Sequence, residues 1–257
     1  MAELNQFRLF DSHFHIIDRR FPLVPNQGYL PDNFTATDYR KRTEAYDLAG
    51  GAIVSGSFQA FDQSYLLAAL KELGPAFVGV TQLPATVTDD ELVRLDDAGV
   101  RAVRFNLKRG GSEAAEHLER FARRVHEVVG WHTELYIDAL DLADLHHILV
   151  RLPTVSIDHL GLSGAGLPEL FRLVEKGVKV KATGFGRVDF AVSMAIRQII
   201  SINPEALMFG TDLPSTRAPR PFSDEDLFAV VDALGETMAR QVFYDNAVRF
   251  YRPQRKS

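Results

Sequence analysis

Cysteine is absent from the 257 residues, and its absence excludes disulfide bonds, thiolate metal ligands and a cysteine nucleophile. No apolar run approaches the length of a membrane span, so we predict no membrane association. The net charge is −5 and no basic stripe is present, which argues against a nucleic-acid partner. Residues 1–6 lack the basic and apolar regions of a signal peptide, and together these features favour a cytoplasmic protein.

The composition is that of an ordinary globular protein, with 46% hydrophobic and 25% charged residues. No linker or internal repeat divides the chain, and its length suits one large core, so we expect a single domain over residues 1–257. Short apolar or alternating segments predict eight strands, at Arg8–Ile16, Gly51–Phe58, Ala76–Leu83, Val100–Leu107, Thr133–Asp138, Thr154–Leu160, Val178–Phe185 and Ala206–Asp212.

Amphipathic segments between these strands predict helices. Ser112 and Ser223 precede acidic residues and are expected to be N-caps of two of them. Alternating strands and helices imply parallel pairing, and eight units imply an α/β fold closed into a (β/α)₈ TIM barrel, with an open doubly wound sheet as the alternative. The predicted helices are Asp62–Leu73, Asp89–Ala98, Ser112–Val129, Leu142–Arg151, Leu167–Glu175, Phe190–Ile202, Asp224–Leu234 and Glu236–Tyr251.

Two histidines, His13 and His15, stand near the end of the first predicted strand. Successive side chains of a strand point to opposite faces, so we expect Asp11 on the face of the two histidines and Phe10 on the other face. Paired imidazoles suit a metal site or a site that polarises a substrate.

The inward faces of the predicted strands are unusually polar. A barrel interior that served stability alone would be filled with Val, Ile and Leu, and unpaired buried charges cost several kcal/mol each. Most of these residues fall at the C-terminal strand ends, where barrel enzymes place their chemistry, so the pattern indicates an active site. They are Asp11, His13, His15, Ser55, Ser57, Gln59, Arg104, Asn106, Lys108, Glu134, Tyr136, Asp138, His159, Lys181, Thr183 and Asp212.

At these positions the chain resembles the amidohydrolase superfamily, and most closely its lactonase-type branch, which includes lactonases of carboxylated pyrones and of sugars. The resemblance extends over nearly the whole chain in barrel order. The matching stretches are Asp11–His15, Val103–Asn106, Trp131–Asp138, Ile157–Gly161, Lys181–Arg187 and Phe209–Pro214.

The resemblance implies alternative answers about a metal. In the superfamily, strand-end histidines and an aspartate surround one or two divalent metals, and His13, His15, His159 and Asp212 match those positions. The strand-five position is Tyr136 instead of histidine, and no bridging carboxylate ligand from strand four is evident, which argues against two metals. One Zn or Mn could be held by His13, His15 and Asp212. The lactonase branch favours catalysis with no required cofactor.

The resemblance also implies roles for these residues. Asp212 is expected to be the general base that takes a proton from water. His159 is expected to donate a hydrogen bond to the substrate carbonyl oxygen, while His13 and His15 either polarise the same carbonyl or bind the metal.

Arginines near the strand ends predict an anionic substrate, because guanidinium groups bind carboxylates through two parallel hydrogen bonds. Arg104, Arg109 and Arg187 are the candidates, with Tyr136 as a further hydrogen-bonding group. In the loop after the eighth strand, Arg217 and Arg220 either add to an anion clamp or are solvated.

We therefore expect a hydrolase that opens a small anionic lactone, either carboxylated or derived from a sugar. A zinc-dependent hydrolase or decarboxylase of the same superfamily is the first alternative. A catalytically silent barrel that binds an acidic metabolite is the second. The sequence leaves open whether the chain forms a homo-oligomer.

Overall fold

Eight parallel strands form one sheet in which each strand pairs with the next along the chain. The protein is described by a computed structural model over residues 4–253, so residues 1–3 of the N-terminal segment discussed above lie outside the described residues. The strands are β1 (Arg8–Phe14), β2 (Asp47–Val54), β3 (Phe77–Thr81), β4 (Val100–Asn106), β5 (His132–Tyr136), β6 (Val155–Ile157), β7 (Lys179–Ala182) and β8 (Leu207–Phe209).

The sheet closes where the ends of β1 and β8 meet. The backbone N–H of Asp212 donates to the carbonyl of His13, and that of His15 donates to the carbonyl of Leu213, both at 2.7 Å. The N–H of Thr211 also donates to the Asp11 carboxylate at 2.8 Å. These contacts confirm the predicted (β/α)₈ barrel, because an open doubly wound sheet would leave both strands as free edges.

Helices surround the barrel and match the predicted segments, with one addition. Between β1 and β2 lies a helix whose capping box, formed by Thr35 and Asp38, is the only sequence signal for it. At seven residues it is too short to show a helical period. The helices are α1 (Ala36–Arg42), α2 (Ser64–Leu73), α3 (Asp89–Asp97), α4 (Leu118–Val129), α5 (Leu142–Leu149), α6 (Leu167–Glu175), α7 (Val192–Ile202), α8 (Asp224–Leu234), α9 (Glu236–Arg240) and α10 (Asn246–Tyr251).

One of the two predicted N-caps is wrong. Helix α4 begins at Leu118, and the Ser112 hydroxyl instead accepts a hydrogen bond from the backbone N–H of Asn106 at 2.7 Å, which fixes the loop after β4. Ser223 does precede α8 and takes part in its capping box. No helix within residues 4–253 is both long enough and apolar enough to cross a bilayer.

An apolar cluster fills the barrel interior at the end nearest to the last helix. Helix α10 covers this end and contributes Phe250 and Tyr251 to the same cluster. The charged residues of the inner face come later in their strands, as Arg104 follows Ala102 in β4, so they lie above this apolar layer. The strand residues of the cluster are Phe10, Ala52, Val54, Val78, Val80, Ala102 and Met208.

The predicted face of Asp11 is wrong. The pairing of β1 with β2 shifts register between Asp11 and Phe14, and this irregularity breaks the strict alternation of faces. Phe10 consequently joins the inner cluster. The Asp11 carboxylate accepts hydrogen bonds from the hydroxyls of Tyr39 in α1 and Thr211, at 3.0 and 2.6 Å, outside the barrel lumen. Burial raises the pKa of Asp11 to about 6 against these hydrogen bonds.

Candidate active site

A layer of charged side chains crosses the barrel above the apolar cluster. Lys181 pairs with Glu134, and Arg104 donates to Asp158 through two nitrogens at 2.8 and 3.0 Å. We call these four residues and His13 the charged layer, and each is at most 2% exposed. Burial alone would raise the pKa of Asp158, but Lys181 and Arg104 hold it well below its usual range. The ion pairs therefore compensate one another inside the barrel.

The charged layer is fixed from below by the last helix. The Tyr251 hydroxyl contacts Glu134 at 2.6 Å and the Ser12 carbonyl at 3.0 Å, and the His132 ring contacts the same carboxylate at 3.1 Å. These contacts restrict the side-chain position of Glu134, which in turn receives the Lys181 ammonium. Helix α10 thus supports the site although it lies at the opposite end of the barrel.

Above the charged layer, Asp212 is held by an arginine. The Nε of Arg187 donates to Asp212 Oδ2 at 2.7 Å, and its NH2 group donates to the Thr216 carbonyl at 2.8 Å. Asp212 Oδ1 has no hydrogen-bond partner among the described residues, although it is buried. One carboxylate oxygen is therefore anchored while the other is available to a ligand.

His15 presents a lone pair towards Asp212. Its Nδ1 lies 2.7 Å from the Val54 carbonyl, which can only accept, so Nδ1 carries the proton. Burial lowers the pKa of His15 well below its usual value, so the ring is neutral and Nε2 is an acceptor. Nε2 lies 3.9 Å from Asp212 Oδ1. This tautomer argues against one of the two expected roles of His15, that of a donor that polarises a carbonyl.

His159 and Asp212 both have backbones in the left-handed region, with φ of 52° and 61°. Such values are uncommon outside glycine and mark strain of the kind that concentrates at functional sites. The His159 ring packs against Gly184, where a Cβ atom would stand 2.7 Å from Nδ1. Burial lowers the pKa of His159 well below its usual value, and its Nδ1 has no partner within residues 4–253.

A cavity opens above His159 at the C-terminal end of the barrel, and we call it the mouth. Arg217 stacks on Tyr29 with its guanidinium 4.5 Å from the ring centroid, and donates to Asn26 at 2.9 Å. The segment after β1, which supplies Tyr29 and Asn26, therefore folds over the mouth. The mouth is lined by His15, Gly56, Ser57, Phe58, Arg104, Asn106, Arg109, Tyr136, His159, Arg187, Thr216 and Arg217.

Two guanidinium groups of the mouth lack a carboxylate partner among the described residues. No ion pair of Arg109 or Arg217 lies within salt-bridge distance there, in contrast to Arg104, which is paired with Asp158. Burial and the positive charge of Arg109 both lower the pKa of Arg217. Unpaired cations that face one another favour an anionic ligand.

Nine of the predicted site residues lie at or directly below the mouth. Seven line the mouth, namely His15, Arg104, Arg109, Tyr136, His159, Arg187 and Arg217, and His13 and Asp212 lie beneath them. Two other predicted positions differ. The Ser55 hydroxyl pairs with Tyr65 of α2 at 2.6 Å instead of facing the lumen, and Arg220 pairs with Asp226.

Three donor atoms could hold a metal. Ligand atoms of His13, His159 and Asp212 all lie within 4.8 Å of one another, so the structure groups His159 with these two residues in place of the predicted His15. His13 Nε2, His159 Nδ1 and Asp212 Oδ1 are buried without a described partner. The number of donors is thus sufficient for one divalent ion.

The charges of the site do not suit such an ion. Each inner carboxylate already faces a cation, as Glu134 does Lys181, Asp158 does Arg104 and Asp212 does Arg187. A divalent ion would add two uncompensated positive charges to a buried region, which is costly. The residues present therefore do not fit a tightly held divalent metal.

This barrel belongs to the amidohydrolase family. A profile of the family, described as Amidohydrolase, matches residues 10–252. The chain is 24% identical to a 2-pyrone-4,6-dicarboxylate hydrolase of Comamonas testosteroni over 97% of this chain and 93% of that protein. It is 23% identical to a D-galactarolactone isomerase of Agrobacterium fabrum, over 84% of this chain and 80% of that protein.

A solved structure is similar to the whole chain. A putative 2-pyrone-4,6-dicarboxylic acid hydrolase from Pseudomonas putida superimposes with a TM-score of 0.81 at 26% identity, covering 98% of this chain and 100% of that one. The family membership and the eight-stranded barrel agree with the resemblance read from the sequence.

Proposed function

We propose that this protein hydrolyses a small anionic lactone to its hydroxy acid. The observation that carries the proposal is that two unpaired guanidinium groups, on Arg109 and Arg217, share the cavity with the ring of His159. The free oxygen of Asp212 lies beside His15 of the same cavity. An anionic ring held by the arginines would present its ester carbonyl to the residues below. The names of the relatives, which include a hydrolase of a dicarboxylated pyrone, support this substrate class.

Asp212 and His15 are suited to hold the attacking water. Two acceptors, Asp212 Oδ1 and His15 Nε2, lie 3.9 Å apart, so one water can donate a hydrogen bond to each. As the water oxygen attacks the carbonyl carbon, Asp212 takes its proton and acts as general base. Arg187 holds the other oxygen of the carboxylate and fixes its orientation.

His13 and His159 are suited to stabilise the carbonyl oxygen. Their rings lie 4.7 Å apart beneath the mouth, and burial lowers the pKa of both residues, so each is a neutral donor. Their N–H groups would strengthen hydrogen bonds as negative charge develops on the oxygen. When the intermediate collapses, the bond to the ring oxygen breaks, and that oxygen takes the proton from Asp212.

The remaining predicted residues divide between binding and support. Arg109, Arg217 and Tyr136 face the mouth and would bind the anionic substituent. Arg187 lines the mouth as well, although two of its nitrogens already donate to protein oxygens. Arg104 is committed to Asp158 and the Ser55 carbonyl, so its part is to hold the charged layer. No step requires a metal, and a single Zn or Mn remains the alternative that the test must address.

The test is proton release, followed with a pH indicator, across sugar lactones and carboxylated lactones in the presence of a chelator. Turnover of a carboxylated lactone by the wild type, and its loss in Asp212→Asn, is the expected result. Turnover that appears only after zinc or manganese is added would favour the metal-dependent alternative. The absence of proton release both with chelator and with added zinc or manganese would overturn the hydrolase proposal.

Isomerisation must be distinguished, because one relative is a lactone isomerase. An isomerase would move the ester to another hydroxyl of the substrate without releasing acid. Product analysis by NMR separates the two reactions, since only hydrolysis yields an open-chain hydroxy acid. The acceptor pair of His15 and Asp212 favours water as the nucleophile.

A further inference from the structure

Lys181 carries the most deeply buried ammonium group of the site. Its side chain is 0% exposed, and Nζ contacts Glu134 Oε2, Asp158 Oδ1 at 3.4 Å and His13 Nδ1 at 3.4 Å. The contacts with Glu134 and His13 have hydrogen-bond geometry, and the contact with Asp158 is an ion pair. The predicted mechanism gives this residue no role.

The ammonium group is balanced by carboxylates. The charged layer contains two carboxylates, on Glu134 and Asp158, and two cations, on Lys181 and Arg104, so its opposite charges match in number. A neutral Lys181 would leave a buried carboxylate without a compensating cation.

The geometry at His13 favours one hydrogen-bond partner over the other. Nδ1 lies at similar distances from Lys181 Nζ and Asp158 Oδ1, 3.4 and 3.5 Å. The contact with Lys181 has hydrogen-bond geometry, whereas Asp158 Oδ1 has no hydrogen-bond partner among the described residues. An ammonium group can only donate, so Nδ1 accepts and the ring proton of neutral His13 resides on Nε2.

We propose that Lys181 is a positioning residue that fixes the tautomer of His13, so that Nε2–H faces the substrate carbonyl as a donor. The catalytic meaning of this arrangement rests on the proposed lactone hydrolysis, but the tautomer itself does not. His13 Nε2 is buried and has no partner within residues 4–253, which leaves its proton available to a substrate oxygen.

The same arrangement opposes metal binding at His13. A metal-bound histidine usually donates its second ring N–H to a carboxylate or carbonyl, which leaves the lone pair of the other nitrogen for the metal. Here an ammonium donor occupies that place, so the Nε2 lone pair is lost to a proton. A metal at His13 would therefore require Nδ1 to exchange its contact with Lys181 for one in which it donates to Asp158.

The test reads the tautomer directly. Two-bond ¹H–¹⁵N correlation spectra of protein labelled with ¹⁵N-histidine show which ring nitrogen carries the proton, and His13→Asn assigns the signal. Lys181→Met alone leaves Glu134 unpaired and is at risk of misfolding, so the informative variant is Lys181→Met combined with Glu134→Gln, which keeps the layer neutral. Lys181→Arg, which keeps a cationic donor at this position, is the matched control.

We expect the Nε2–H form in the wild type and in Lys181→Arg, and the Nδ1–H form, donating to Asp158, in the double variant. The double variant should also bind zinc at least about tenfold more tightly than the wild type in equilibrium dialysis, a modest gain for a freed ligand. Its kcat should fall by about 10²-fold with KM within a few-fold, as for loss of an oxyanion donor.

An Nδ1–H tautomer in the wild type, or an unchanged tautomer in the double variant, would overturn the proposal. These spectra need no substrate, so they separate this inference from the proposed function. If the spectra are as expected but no lactone is turned over, the tautomer assignment holds and the hydrolase proposal is wrong.

Discussion

His15 Nε2 and Asp212 Oδ1 face each other across 3.9 Å, and both are acceptors. Two acceptors at this separation repel unless a donor lies between them, and a water molecule supplies two donors. These two acceptor atoms therefore form a binding position for a nucleophilic water, and this position exists before the substrate binds. It also distinguishes the roles of the two neighbouring histidines. His15 accepts a hydrogen bond from the water, whereas His13 donates one to the substrate carbonyl.

Asp212→Asn should remove the general base while preserving the fold. An amide keeps an oxygen for Arg187 but cannot take a proton from water, so we expect kcat to fall by at least about 10³-fold with KM nearly unchanged. Steady-state kinetics on the lactone found by the proton-release assay check this. Retention of more than a tenth of wild-type kcat would contradict the base assignment.

Arg217→Met should weaken binding of the anionic substituent specifically. We expect KM for a carboxylated lactone to rise by about 10- to 100-fold, and little change for an uncharged lactone, because only the former loses a charge-assisted hydrogen bond. Arg220→Met is the matched control, since that guanidinium pairs with Asp226 instead. An equal rise in KM for both kinds of lactone would show that Arg217 supports the structure of the mouth instead of binding the charged substituent.

Gly184→Ala should displace the His159 ring. The new Cβ atom would stand 2.7 Å from His159 Nδ1, and the backbone at Gly184 has a φ of 62°. We expect a loss of stability of about 1–3 kcal/mol and a clear fall in kcat. Gly177 also has a positive φ, but no atom lies within 4 Å of the Cβ atom that alanine would add. Gly177→Ala should therefore lose stability and retain kcat.

Stability should fall when the pH drops from 6.5 towards 5. Burial lowers the pKa of His13, His15, His132 and His159 in the folded chain, so below pH 6.5 the unfolded chain binds more protons and becomes favoured. Asp11 has the opposite effect, because its pKa is raised to about 6 and the folded chain binds its proton more readily than the unfolded chain. It is one group against four histidines, so the stability still falls.

Each proton bound only by the unfolded chain contributes about 1.4 kcal/mol per pH unit, which denaturant titrations at several pH values would measure. His159→Gln should make the slope shallower by about one proton. A free energy of unfolding that does not change over this range would contradict the neutral state of the buried histidines.

The sequence was sufficient to predict the barrel and the convergence of His13, His159 and Asp212. Their residue types are polar where a barrel interior should be apolar, and the C-terminal ends of parallel strands meet at one place. No measurement of side-chain contact is needed for that inference.

The details that sequence could not supply depend on distant partners. The register shift in β1 moved Asp11 out of the lumen, and strand alternation alone carries no sign of it. The hydrogen bond of His15 to Val54 decides its tautomer, and the ammonium group of Lys181 decides that of His13. Asp158 and His159 are adjacent in the chain, yet both side chains face the site, and the backbone at His159 is left-handed.

The contact of Tyr251 with Glu134 and with the Ser12 carbonyl, 239 residues earlier in the chain, sets an order of events during synthesis. A nascent chain still lacking α10 has the strands that carry the charged layer but not the helix that closes the barrel beneath it. Ribosomes add about 5–20 residues per second, so this interval lasts for seconds after β7 has been made. During that interval the ion pairs of the layer are exposed to water from below, and the site is finished only when the last helix docks.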